Sequence, residues 1–242
     1  MWEWQVRSRI GSYGLIVEAD PSKIAGRIID WRRRKTWKTL NSLPVLPGFA
    51  KSGINRGLRE MRRFDLTKDG YYDFVSIESG NTYRKLKDVL DHSDTPEASE
   101  TYQHILREFR ARGTYRHKKF VVGTEADVAK LVRACYSDLL SSMAKDGYVS
   151  EKTSTYATGG TGLAMIWKDG KLWHEDGATH RLSTARLVGV QRGFPLRIVG
   201  VHRDFLRAQG IRGTSDLSRL PEALADADGV LSTQIMPGTV RD

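Results

Sequence analysis

The chain has 242 residues, 39% of them apolar, and carries 39 Lys and Arg against 29 Asp and Glu. That length suits one core with elaborations, and the mixture of charges argues against global disorder. No apolar run approaches the ~18 residues of an ordinary transmembrane helix, and the single Cys135 excludes an internal disulfide framework or a cysteine-based metal cluster. The opening MWEWQVRSRIGSYG has no apolar h-region, so no signal peptide is expected there and the expected setting is cytoplasmic and reduced.

The basic excess is local. Residues 1–63 hold 14 Lys and Arg and 5 Asp and Glu, a net +9, leaving +1 for the other 179 residues. Asp20-Pro21-Ser22 is a helix start, and a helix is expected from about Ser22 to Leu40, stopped by Leu43-Pro44-Val45-Leu46-Pro47-Gly48. Ile24, Ile28, Trp31 and Leu40 fall near one face of it, while Arg27, Arg32, Arg33, Arg34, Lys35 and Lys38 crowd the rest. A basic helix with Trp31 and Trp37 suits a nucleic-acid backbone, an anionic membrane surface or an acidic protein face. A solvated arm whose arginines pair with acids elsewhere accounts for the same residues.

From Phe64 the pattern alternates polar and aromatic residues. Asp69-Gly70 marks a turn, and Tyr71–Ile77 reads as a short strand. Gly80-Asn81-Thr82 precedes a helix over Tyr83–Leu90, and a second helix runs from Ser99 or Thr101 to Arg112, with Tyr102, Ile105, Leu106 and Phe109 as its stripe and Gly113 as its end. A third is capped by Thr124 with Asp127 three residues on, repeats Val128, Leu131, Val132, Cys135, Leu139 and Leu140 to Met143, and stops at Gly147. Cys135 on its apolar face reads as a core thiol.

Residues 159–206 carry the chemistry. Leu163–Trp167 and Lys171–His174 form an expected hairpin across Lys168-Asp169-Gly170; a helix follows over Thr179–Val188, closed by Gly189, and Pro195–Val201 reads as a buried strand. A glycine before a helix lets the backbone approach a ligand, and the helix's first N–H groups favour an anion there. His180 and Arg181 would add donors to that anion, and Asp176 could hold a metal ion or accept a hydroxyl proton. A plain turn with Thr179 as a cap and a surface Arg181 satisfies the same residues. Gly159-Gly160-Thr161-Gly162 reads as a connector or as a loop closing over a ligand. His92, His104 and His117 have no partners at metal spacing, and His174 reads as a packing residue.

The string Asp176-Gly177-Ala178-Thr179-His180-Arg181-Leu182, with Ala185-Arg186, Gly189, Pro195 and the strand LRIVGV, resembles the ParB/sulfiredoxin superfamily. The version here is most similar to ParB-like proteins of archaea and bacteria, whose upstream helices match at Tyr83 to Leu86, Glu100-Thr101-Tyr102 and Asp146-Gly147-Tyr148. The resemblance is strong over about 163–203, weaker over 64–150, and leaves residues 1–63 unexplained. It implies that the His-Arg turn binds nucleotide phosphates, as in ATP-dependent sulfiredoxins, CTP-switched ParB proteins and kinases of free serine. Sulfiredoxin chemistry needs a cysteine directly before the His-Arg pair; Thr179 stands there. A partitioning ParB needs helix-turn-helix elements after the core, and only about 40 residues follow Val201. In the superfamily a reversed Arg-His order is common where His202-Arg203 stands here.

Two functions are compatible with these residues. In the first, ATP or another nucleoside triphosphate with Mg²⁺ is bound for phosphotransfer or hydrolysis: Gly177, Thr179, His180, Arg181 and, more weakly, Lys168 and Arg186 hold phosphates, while Asp176, Glu175 and His180 are the catalytic candidates and Asp176 the metal candidate. Asp73, Glu78 and Glu100 are candidates for an activating carboxylate. In the second, Arg32, Arg33, Arg34, Lys35 and Lys38 hold nucleic acid or an anionic surface, and the core acts as a switch or nuclease. The expected fold is α+β (α/β): a small mixed sheet with a ParB/sulfiredoxin-like core at 146–206, a helical lead-in at 64–145 packed on it, the basic segment 1–63 before it, and a polar tail at 207–242.

Overall fold

The apolar residues near the start of the chain pair as strands instead of coiling into the helix expected over 22–40. The computed structural model describes residues 1–10, 15–42, 44, 46–51, 53–54, 63–67, 69–117, 120–149, 161–191 and 193–235. It begins with α1 (Glu3–Ile10), β1 (Leu15–Ala19), a 3-10 turn at Pro21–Lys23, β2 (Gly26–Asp30) and only then α2 (Trp31–Ser42). The start signal at Asp20 governs a single turn: its carboxylate accepts from the Ser22 N–H at 2.9 Å and the Ser22 hydroxyl at 2.6 Å. Ile24 and Ile28 are both buried, and a spacing of four suits one face of a strand as well as one face of a helix. Strand partners on both sides of β2 resolved that ambiguity.

The chain forms two compact units. The first comprises Met1–Ser76, Thr161–Gly177 and Gly193–Asp242, and the second Ile77–Gly160 and Ala178–Arg192. After β3 (Asp65–Leu66) and β4 (Tyr72–Val75), the second unit supplies α3 (Asn81–Asp91), α4 (Glu100–Arg112), β5 (Tyr115–His117), β6 (Phe120–Val122), α5 (Glu125–Val132) and α6 (Asp138–Asp146). The first unit resumes with β7 (Gly162–Ile166) and β8 (Leu172–Asp176), α7 (Thr179–Leu187) belongs to the second, and β9 (Phe194–His202), α8 (Arg203–Ala208), α9 (Leu220–Ala225) and β10 (Val230–Ile235) complete the first. Among the described residues no helix is long and apolar enough to cross a membrane.

The first unit is built on a mixed eight-stranded sheet in the order β10-β1-β9-β7-β8-β2-β4, with β3 also paired to β9. The fold class is therefore α+β with a mixed sheet, as expected, but the sheet draws strands from both ends of the chain. The basic N-terminal segment contributes β1 and β2, and the residues expected as a polar tail contribute α9 and β10, which pairs antiparallel with β1 from Leu15 opposite Ile235. Strand β9 is nearly all buried; β1 runs antiparallel to it, β7 parallel. Ile28, Leu66, Tyr72, Met165, Trp167 and Val199 pack as one cluster, edged by Phe74, whose ring meets those of Trp167 and Trp173 at 4.8 and 4.6 Å.

The second unit buries the apolar stripes of its helices. Leu86 and Val89 of α3, Ile105 and Leu106 of α4, and Val128, Leu131 and Val132 of α5 share a cluster with Val122 of β6, and Leu187 and Val188 pack against it. Ser99 caps α4 by accepting from the Tyr102 N–H at 3.2 Å, and Gly113 ends it in the left-handed region at φ 71°. Asp127 accepts from the Thr124 N–H at 3.0 Å at the start of α5. The long helix expected over 124–143 is interrupted by a π-helical turn at Arg133–Ser137, which buries Tyr136 and leaves Cys135 half-buried against the core.

One buried carboxylate ties distant parts of the first unit together. Asp65 is 6% exposed and accepts from Arg203 at 2.7 Å, from both Nε and Nη2 of Arg63 at 3.3 Å, and from the Met1 ammonium at 2.6 Å. Burial raises its pKa, but those charge-assisted bonds outweigh burial and hold the carboxyl down at about 2.

Two consequences are measurable. A Cβ at Gly26 would lie 2.5 Å from the Val75 carbonyl oxygen and 2.8 Å from the Trp173 ring, so Gly26→Ala should lower stability by about 1–3 kcal/mol in urea unfolding. Asp65 is more acidic folded than unfolded, so its stabilisation is complete above the ordinary carboxylate range and fades as pH falls toward 2. The stability gap between wild type and Asp65→Asn should accordingly shrink as unfolding is repeated from about pH 5 downward.

Candidate functional site

The Asp176–Arg181 turn is set up by the strand that enters it. Pairing of β7 with β8 extends to Leu163 opposite Asp176, with a bulge between Leu163 and Ala164. Within β8, His174 and Glu175 are buried and Asp176 is half-buried. The His174 Nε2 lies 2.6 Å from the Gly177 carbonyl oxygen. A carbonyl only accepts, so Nε2 carries the proton, and burial pushes the ring's pKa below its usual range and keeps it neutral. Its Nδ1 is a buried acceptor with no hydrogen-bond partner among the described residues. His174 is thus more than packing: it pins the carbonyl of the glycine at the turn.

Gly177 lies at φ 70° and Ala178 at φ 46°, the only non-glycine in the left-handed region among the described residues. Two left-handed residues in succession turn the chain from β8 into α7. At Ala178 this costs about 1–2 kcal/mol, because an L side chain crowds the following carbonyl. Ala178 is the N-cap of α7 and brings no side-chain acceptor; the helix's own ladder begins with the Leu182 N–H bonded to the Ala178 carbonyl at 2.9 Å. Thr179, His180 and Arg181 therefore occupy the first turn.

Arg181 is 7% exposed, and its Nη1 donates to the Tyr148 hydroxyl at 2.8 Å. A buried guanidinium in the first turn of a helix is opposed by the positive end of the helix dipole, and both would attract an anion placed there. Half-buried His180 has its ring centroid 6.2 Å from that of Tyr136. Arg186, further along α7, pairs with Glu78 at 2.6 Å, so a weak phosphate candidate and a candidate carboxylate neutralise each other.

Other expected residues fall elsewhere. Lys168, at the β7–β8 turn, pairs with Asp69 at 2.9 Å, and Asp69 also faces the His202 Nε2 at 3.2 Å. Asp73 is exposed on β4, and Glu100 in the first turn of α4 pairs with Arg107. Arg32, Lys35 and Lys38 are exposed on α2, with the Arg32 guanidinium 4.3 Å over the Tyr71 ring. The side chains of Arg33, Arg34 and Trp37, like the whole of Gly159 and Gly160, lie outside the described residues. Among the described residues no group of three His, Cys, Asp or Glu is placed to hold a metal ion. Sequence reasoning missed the roles of His174 and Tyr148, each of which acts through a contact that spacing along the chain does not encode.

Comparison of the chain with protein-family models, with curated proteins and with solved structures finds no match.

The strain at Ala178 makes an inverted glycine effect the expected result. Ala178→Gly should leave stability unchanged or raise it by up to about 1 kcal/mol. Ala185→Gly, at a buried interior position of the same helix, should lower it by about 1 kcal/mol or more, both read by denaturant unfolding.

Proposed function

We propose that the first turn of α7 binds the phosphates of a nucleoside triphosphate, with ATP the first candidate, in a phosphotransferase or NTP-hydrolysing protein of the ParB/sulfiredoxin type. The observation that carries this reading is Arg181: a guanidinium buried at the positive end of a helix and held in place by the Tyr148 hydroxyl. Arginine's planar fork matches phosphate oxygens, and Thr179 and His180 add donors in the same turn. The left-handed backbone of Ala178, directly after Gly177, supports the reading, because strain of this kind is retained where a backbone must take one conformation. The resemblance of Asp176–Leu182 to the superfamily's nucleotide turn supports it independently.

Asp176 suits Mg²⁺, which is commonly held by one or two carboxylates together with nucleotide phosphates and so needs no cluster of protein ligands. The ion would supply charge neutralisation on the phosphates. Asp176 and Glu175, at the end of β8, are the proposed catalytic carboxylates, and His180 the proposed donor to charge developing on the transferred group. Lys168 is engaged by Asp69 and is the weakest member of the proposed phosphate set.

A second reading follows from α2. Arg32, Lys35 and Lys38 are exposed along it, and Trp31 is 45% exposed at its start. Cations beside an exposed aromatic ring suit a nucleic-acid backbone.

Thermal melting and calorimetric titration with ATP, ADP, CTP and GTP, each with and without Mg²⁺, test the first reading. A bound nucleotide at about 100 times its Kd should stabilise wild type by about 2.7 kcal/mol. Arg181→Ala should abolish that shift and Arg181→Lys should weaken it, with circular dichroism confirming that both fold. Equal responses from wild type and Arg181→Ala, or no response to any nucleotide, would sink the reading.

A further inference from the structure

Two hollows in the first unit are walled by arginines. One, of about 420 Å³, is lined by Arg63, Arg203, Arg207 and Arg212; the other, of about 460 Å³, by Arg63, Arg203, Arg32 and Tyr71. Both include Arg63, Asp65 and Arg203, so the two hollows, together the groove, share a wall at the Asp65 ion-pair knot. Among the described residues that line them, Asp65 is the only acid. It is already bonded to two of the arginines, and that bonding fixes their orientation. Arg63 spends two N–H donors on it and Arg203 one, out of five on each guanidinium. Arg32 and Arg207 stand 3.6 and 3.7 Å from Asp30 and Asp204, and the Arg212 guanidinium has no acidic partner within ion-pair distance among the described residues. Among the described residues the groove thus presents more arginines than acids, with two of the arginines preset by Asp65.

Aromatic rings flank those charges. Tyr71 lies under the Arg32 guanidinium in one hollow. Trp2, 40% exposed, is bridged to the Arg63 backbone, with that guanidinium 5.4 Å from its ring. Cationic walls answer to a chain of phosphates, and the rings answer to planar bases. A duplex keeps its bases stacked inside and offers this groove only a convex backbone, whereas a single strand can lay phosphates along the arginines and turn bases onto the rings.

We infer that this groove binds single-stranded nucleic acid, its phosphates on Arg63, Arg203, Arg207 and Arg212 and a base stacked at Tyr71. The inference rests on the second reading of the preceding section, which it moves from α2 to the groove and narrows to single strands.

Fluorescence anisotropy with a labelled oligothymidylate of about 12 nucleotides, over a series of salt concentrations, provides the test. The Arg207→Gln/Arg212→Gln double variant should bind about tenfold or more weakly and flatten the slope of log K against log salt by about 1.4, at roughly 0.7 per phosphate contact. Tyr71→Leu should weaken binding by about fivefold or more with the slope unchanged, because stacking releases no counterions. Arg112→Gln/Arg116→Gln, the same loss of charge in the second unit, should bind as wild type does. Melting curves by circular dichroism establish that each variant is folded. If the groove double variant binds normally while Lys35→Gln/Lys38→Gln does not, the groove is wrong and the α2 reading stands. If no oligonucleotide binds, both fall. Equal affinity for a duplex of the same length, or full displacement by inorganic polyphosphate together with an unaffected Tyr71→Leu, would overturn the single-strand assignment.

Discussion

The first unit depends on satisfying both edges of one buried strand. Along β9, Phe194–His202, the backbone N–H and C=O groups are shut away from water, and each must find a partner or cost free energy comparable to a lost hydrogen bond. β7 supplies one edge, from Gly162 opposite Leu196 to Ile166 opposite Val201. β1 pairs with the N-terminal half, and β3 takes Val201 and His202 at the other end. These partners lie roughly 30 to 180 residues away in the chain, so the sheet closes only when its two ends and its middle meet. β10 then covers the outer edge of β1.

That assembly fixes where charge accumulates. Asp65 sits at the start of the two-residue strand β3, and Arg203 directly follows β9, so pairing β3 with the end of β9 brings acid and arginine together. Burial alone would disfavour the carboxylate; two guanidinium groups and an ammonium reverse the balance. Among the described residues, the basic excess of the first 63 positions is therefore neither a detached arm nor wholly neutralised. Part is spent on internal acids such as Asp65 and Asp30, and part faces outward from α2 and the arginine-walled hollows.

At the turn into α7 strain and charge are concentrated in a few residues. His174 holds the Gly177 carbonyl from within β8, Ala178 accepts a left-handed backbone, and Tyr148 holds Arg181 in the first turn. The stretch was legible in the sequence because its pieces are local: the glycine before the helix, the helix period that follows, and the His-Arg pair. Its supports were not. Tyr148 stands 33 residues before Arg181, and His174 resembles any core histidine until the direction of its Nε2 is known. The pairing of Arg186 with Glu78 was hidden for the same reason, since both residues read separately as candidates for chemistry.

Apolar period and end signals alone determined α3, α4, α5 and α7, the β7–β8 hairpin and the strand β9, because helix caps, glycine stops and amphipathic stripes act over a few residues and carry their physics with them. The uneven distribution of charge was equally plain. Tertiary structure alone decided β1, β2 and β10: Ile24 and Ile28 fit a helix face or a strand face equally, and the residues from Arg207 onward look like a tail until β1 offers an edge. It also decided the π-helical turn at Arg133–Ser137, which neither capping nor period announces. The physical reason is common to these cases. A strand's hydrogen bonds are made to other segments, so its identity is settled by which remote backbone lies beside it, whereas a helix satisfies most of its own.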